Sequence, residues 1–136
     1  MKPEAENVAM HLVGPERSMI LIDTWVDGHG PFKFLLDTGA SRTGLSARAA
    51  AQIGLVMDGF ADGEGVGGPF QARVGLIETI RVGSAEVCDV RVFVIDLTVL
   101  EDKLGVQLDG ILGFSFLRRF RVTIDYPAGL LKLEKQ

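Results

Sequence analysis

The feature that most constrains this chain is how its apolar residues are parcelled. They fall into short runs rich in Val, Ile, Leu and Phe, with glycines spread between them. Seventeen glycines stand in 136 residues, against an average near ~7%, and they lie between the β-branched runs rather than in a repeat. Long helices do not tolerate such punctuation, whereas tight turns between strands require it. About eight short strands with one or two small helices are predicted, making a mainly-β chain. With 136 residues the chain forms one domain, large enough to bury a core without disulfides.

The runs can be placed in order. Residues 1–8 are expected to be a loose, flexible terminal segment, leaving 9–136 as the folded domain. MILIDTWV (19–26) and PFKFLL (31–36) form a hairpin across the turn sequence DGHG (27–30). SARAAAQIG (46–54) is the one convincing helix, capped by Ser46 and ended by Gly54. The glycine-rich stretch 58–77 holds two strand-like pieces with a hairpin tip at Gly67 and Gly68. TIRVG and EVCDVRVFVID follow, joined by a turn at Gly83 and Ser84. The second is apolar on both faces at its end, which suits the interior of a sheet system. Residues 96–107 read as an irregular connection. FSFLRRF is a short helical piece, and two strands around a turn over 126–129 close the chain.

Charge and composition remove several functions. A net charge of −4 and a pI near 5.1 do not supply the basic surface that nucleic acid requires. Cys88, the single cysteine, has no partner for a disulfide or a zinc site and is expected to pack inertly in a strand. No apolar stretch approaches the ~18 residues of a membrane span. The N-terminus MKPEAENVAM lacks the apolar centre of a signal peptide. A cytoplasmic protein is the expectation, with the soluble domain of an anchored or exported protein as the alternative.

GEGVGG (63–68) matches the glycine spacing of dinucleotide sites, but that motif works only where a helix follows. Here FQARVGLI follows, with strand alternation. His11 and His29 are the only histidines and sit in no nucleophile or metal motif, so serine or cysteine catalysis lacks its base. FLLDTGAS (34–41) is different. An apolar strand ends abruptly by presenting one carboxylate, Asp37. Far downstream stands ILGFSFLRRF, an apolar pair and a glycine before a helical piece.

The hairpin, DTGAS, the glycine-rich flap and ILG before a helix, in this order, resemble the retropepsin-like aspartic proteases. The resemblance runs from about residue 19 to 133, and DGILGFSFLRRFRVTIDY is closer to bacterial members than to retroviral ones. It implies a closed, β-barrel-like acid protease fold and an aspartic endopeptidase needing neither metal nor cofactor. Its partners would be a peptide or protein substrate and a second copy of the chain, since the sequence carries one DTG. In that family role Asp37 is the catalytic carboxylate. The Thr38 hydroxyl locks two loops across the dimer axis, and Gly39 lets a backbone N–H approach the carboxylates. Ala40 and Ser41 complete the loop, although Ser41 stands where retroviral enzymes carry a substrate-binding aspartate. Gly65, Val66, Gly67, Gly68, Pro69 and Phe70 form the flap tip, while Ile111, Leu112 and Gly113 pack beneath the loop. Two alternatives stay open. One is a non-catalytic peptide-binding or dimerisation module on the same fold. The other is a monomer whose second carboxylate is Asp109 or Asp125.

Overall fold

The computed structural model describes residues 5–65 and 67–136. The chain runs β1 (Ala5–Ala9), β2 (His11–Val13), β3 (Met19–Val26), β4 (His29–Leu36), β5 (Thr43–Ser46), α1 (Ala47–Ile53), β6 (Met57–Gly65) and β7 (Gly68–Val82). It continues with β8 (Ala85–Ile95), α2 (Thr98–Leu104), β9 (Gly110–Leu112), α3 (Phe114–Leu117), β10 (Phe120–Asp125) and β11 (Leu130–Lys135).

Turn chemistry starts the fold. Asp27 and Gly28 have φ of +49° and +79°, the pair of positive angles that a two-residue hairpin matched to strand twist demands. Strand β4 therefore begins at His29, two residues before the expected start at Pro31. Asp27 also reaches across the fold. Its N–H donates to the Thr79 carbonyl at 3.0 Å, and its Oδ1 accepts from the N–H groups of Glu78 and Thr79 at 2.9 and 3.0 Å. Beside this anchor β3 pairs with β7, Trp25 opposite Arg81 and Val26 opposite Ile80.

That pairing closes a ring. The larger sheet has the order β2-β3-β4-β9-β5-β8-β7-β6, and the β3–β7 contact joins six of its strands into a closed circuit. Closure removes the exposed edges of those six strands. Ile22, Phe34, Leu45, Ile77, Val92 and Leu112, one from each ring strand, are fully buried in a single cluster. The barrel-like fold expected from the resemblance is the fold present.

A second sheet, β1-β11-β10, lies against the same core through Leu131 and Leu133, with the Phe116 and Phe120 rings 5.1 Å apart. Here the chain departs from expectation. Residues 1–4 lie outside the described residues, but Ala5–Ala9 is not a loose segment: it pairs with β11, Ala5 opposite Glu134. Two further differences are local. The pieces FQARVGLI and TIRVG are one fifteen-residue strand, β7. The irregular stretch 96–107 contains α2, which was missed because Leu97 occupies its N-cap position and makes no side-chain cap. Asp96 supplies the substitute: its Oδ1 accepts from the Thr98 hydroxyl at 2.6 Å and the Thr98 N–H at 2.9 Å. The hydroxyl bond, then the amide bond, hold the Asp96 carboxyl below its usual pKa.

Cys88 lies in β8 as expected, but its side chain is exposed rather than packed, which corrects the inert-core reading. No helix among the described residues is long and apolar enough to cross a membrane.

Candidate active site

The site begins where β4 ends. Strands β4 and β9 run parallel, with Leu35 opposite Ile111 and Leu36 opposite Leu112. One residue further, the Asp37 N–H donates to the Leu112 carbonyl at 3.1 Å. The apolar side chains below are fixed in two cores, Leu112 in the main barrel cluster and Ile111 beside a second one with Leu35 and Leu108. The carboxylate thus stands on a backbone anchored from both sides.

The loop then folds onto itself. The Ala40 N–H donates to the Asp37 carbonyl at 3.2 Å, and the Gly39 N–H donates to Asp37 Oδ1 at 2.9 Å. A Cβ at Gly39 would meet that same oxygen at 3.3 Å, so the small residue sits tightly against the carboxylate. Asp37 is half-buried, with Thr38, Gly39 and Ser41 exposed beside it. Among the described residues no side chain is hydrogen-bonded to the Asp37 carboxylate, so its free face is open for chemistry.

Beneath the loop lies Gly113. A Cβ there would stand 2.4 Å from the Arg42 carbonyl and 2.8 Å from the Ala40 carbonyl. Only glycine allows the loop to rest on this turn. The next amide, Phe114 N–H, donates to the Ala40 carbonyl at 2.7 Å. Ile111 and Leu112 thus pair with the end of β4, and Gly113 adjoins the Ala40 and Arg42 carbonyls of the loop.

One pair was missed. Thr43 is fully buried, and its Oγ1 lies 3.0 Å from Ser115 Oγ. The Thr43 N–H donates to Ser115 Oγ at 3.1 Å, and the Gly113 N–H donates to Thr43 Oγ1 at 3.4 Å. These bonds tie the far end of the loop to the first turn of α3. The available signal was a threonine opening a wholly buried strand, because a buried hydroxyl must find partners.

Opposite the loop stands the β6–β7 hairpin. Its last pair is Gly65 with Gly68, leaving Gly67 in the turn; Val66, expected at the tip, lies outside the described residues. Gly68 has φ of +103°, a backbone that side chains rarely adopt. The Phe70 ring lies across Gly63, where a Cβ would meet ring carbons from 2.5 Å. A cleft of about 780 Å³ separates Ser41 on the loop from Gly63, Glu64, Pro69 and Phe70 on the hairpin. The glycine motif 63–68 belongs to this hairpin, and β7 rather than a helix follows it.

The other candidates lie elsewhere. His11 and His29 are exposed, and His29 opens β4 at the end away from Asp37. Asp109 is at that same far end. Its Oδ2 accepts from the Lys33 N–H at 2.8 Å and its Oδ1 from Arg48 at 3.1 Å. Lys33 and Asp37 are four residues apart on an extended chain, roughly 13 Å. Asp125 caps a turn by accepting from the Ala128 N–H at 3.0 Å. Among the described residues no group of three or more His, Cys, Asp or Glu side chains could hold a metal ion.

Comparisons with known proteins agree with this geometry. The profile of the family described as "Aspartyl protease" matches residues 22–116, from β3 through the first turn of α3. A comparison with curated protein sequences found no match. Among solved structures, the crystal structure of a retropepsin-like aspartic protease from Rickettsia conorii is similar over 99% of this chain and 95% of its own. The TM-score is 0.67 and the sequence identity 22%, a likeness of fold.

Proposed function

The chain belongs to the aspartyl protease family, and we propose that it is an aspartic endopeptidase whose catalytic pair is two copies of Asp37 in a homodimer. The observation that carries this reading is the single carboxylate, held at a strand end by the bond from the Asp37 N–H to the Leu112 carbonyl and by the Gly39 N–H, on a loop whose Ser41 lines the cleft shared with the β6–β7 hairpin. Peptide hydrolysis by this route needs a second carboxyl within hydrogen-bond reach of the same water. Asp109 is engaged by Lys33 and Arg48 at the other end of β4, which favours a second chain as the source.

The chemistry follows from two like groups at close range. Two carboxyls held ~3 Å apart share one proton, because both cannot be ionised together. The ionised one takes a proton from water as the water oxygen attacks the peptide carbonyl carbon. The protonated one gives its proton to the carbonyl oxygen. Collapse of the tetrahedral adduct breaks the C–N bond, with a proton passing to the leaving nitrogen. The Gly39 N–H steadies the carboxylate, and the exposed Thr38 is suited to bond across the two-fold axis. Ser41 lines the near side of the cleft that takes the substrate, and Ala40 holds the loop beside it. The tip from Gly65 to Phe70 closes over the bound peptide and excludes water. The unit we assign this activity is 9–136 together with the earlier β1 residues that pair with β11.

The test is cleavage of a peptide library by the wild type and by Asp37→Asn, across dilution. Specific activity is expected to fall as dimers dissociate, and excess Asp37→Asn co-refolded with wild type is expected to poison it. Constant specific activity in a demonstrated monomer would refute the two-chain site. Cleavage by Asp37→Asn at a comparable rate would refute the residue.

A further inference from the structure

Arg42 stands where the Asp37 loop meets the β6–β7 hairpin. The Asp37 N–H is bonded to Leu112, and the Arg42 carbonyl lies against Gly113, so the two residues rest on consecutive positions of one turn. The residue before Arg42 is Ser41, which lines the cleft. The Arg42 side chain is exposed, and its guanidinium stands 5.9 Å from the centroid of the Phe93 ring. Phe93 in turn packs with Ala61, Ala72 and Val74 of the hairpin. The cation is thus rooted in the loop while its far end reaches the hairpin side.

Its charge is unanswered within the chain. Arg48 is paired with Asp109 at 3.1 Å and Arg91 with Asp58 at 2.6 Å. Among the described residues no carboxylate lies within ion-pair distance of Arg42. Asp62 and Glu64 border the same cleft, but the register turns them from it. Ala61 and Gly63 stand opposite Ala72 and Phe70, on the face that packs against Phe93. Asp62 and Glu64 alternate with them and take the other face. A guanidinium stacked on an aromatic ring keeps its planar N–H fork for a ligand, and that fork matches a carboxylate.

We propose that Arg42 determines specificity by taking the carboxylate of an aspartate or glutamate side chain in the peptide, close to the bond cleaved. The inference rests on the protease reading above and adds to it the class of substrate, an acidic peptide. The chain as a whole carries a net charge of −4 and repels such a peptide, so the preference is local to Arg42. One charge-assisted bond in a cleft open to water changes kcat/KM by about tenfold.

The experiment starts from a C-terminally amidated peptide that the wild type cleaves, with Glu, Gln or Lys placed in turn at each position flanking the scissile bond. The ratio of kcat/KM between these peptides is measured for wild type, Arg42→Met and Arg42→Glu. Methionine keeps an apolar stem beside Phe93 and removes the charge. The expected result is a position where the wild type favours Glu over Gln by about tenfold. That ratio should fall to about one in Arg42→Met, and Arg42→Glu should favour Lys. Each ratio is internal to one protein, so a change in its folded fraction cancels. A wild type that cleaves without favouring Glu at any position would overturn the proposal and leave the protease standing. So would a preference for Glu that survives Arg42→Met. An unchanged ratio beside a raised dimer Kd in Arg42→Met would assign the guanidinium to the contact between subunits and overturn it too. Failure of the wild type to cleave any peptide of the library would sink the protease reading and this one with it.

Discussion

The two walls of the cleft are built on opposite plans. The Asp37 loop is short and bonded at both ends and within: to Leu112, to Phe114, to itself and, through Thr43, to Ser115. The β6–β7 hairpin is long, and its outer half lies beyond the barrel. Phe60 and Phe70 are exposed there, and Ala61, Ala72 and Val74 meet a small cluster with Phe93. One wall fixes an atom, and the other presents a surface that can be displaced. Rigid placement of a reacting group and a movable cover are different requirements, and the chain divides them between two segments.

The sharpest way to break this contrast is to remove the reacting atom while leaving the rigid wall intact. Asp37→Asn keeps the size of the side chain, so cleavage should fall at least ~1,000-fold with melting temperature almost unmoved. A large loss of stability would show that Asp37 holds the loop rather than being held by it.

Thr43→Val tests the rigidity itself. It strands the Ser115 hydroxyl and the Gly113 N–H, which should cost about 1–3 kcal/mol in urea unfolding and lower cleavage in step. Thr43→Ser should restore both, because the hydroxyl returns. If Thr43→Val is as stable as Thr43→Ser, the buried bonds are not what secures the loop.

On the displaceable wall the pattern should reverse. A side chain at Gly68 is strained by the positive φ, by about 1–2 kcal/mol, while Gly67 has open space around its Cβ position. Gly68→Val should reduce cleavage more than Gly67→Val, with a smaller change in melting temperature than Thr43→Val gives. Equal melting shifts at Gly68 and Thr43 would erase the distinction between the walls.

The smallest effect on activity is expected at the far end of β4. Asp109→Asn weakens the bonds with Arg48 and the Lys33 N–H, so stability should drop by about 1 kcal/mol with kcat preserved. A kcat loss matching that of Asp37→Asn would make Asp109 a partner in the chemistry after all.

What the sequence disclosed was local. Asp27 and Gly28 carry their own turn, Ser46 its own cap, and DTG its own carboxylate, each within four residues. What it hid depends on residues far apart in the chain. Thr43 and Ser115 are 72 positions apart, and Asp27 meets Glu78 across 51. No periodicity reports such a meeting. Strand β1 was hidden likewise, since a segment of five residues with no strong strand pattern is one by pairing with the distant β11. Helix α2 escaped through chemistry rather than distance, its cap being Asp96, one residue outside the usual position.

The pairing of β1 with β11 bears on synthesis of the protein. The first described residues find their only ladder partner almost at the far end of the chain, Ala5 against Glu134. A ribosome adding about 5–20 residues per second needs roughly 6–25 seconds to bridge that interval. Through that time β1 waits unpaired while the barrel ahead of it can already close. The second sheet is therefore the last part to assemble, only after β11 has emerged.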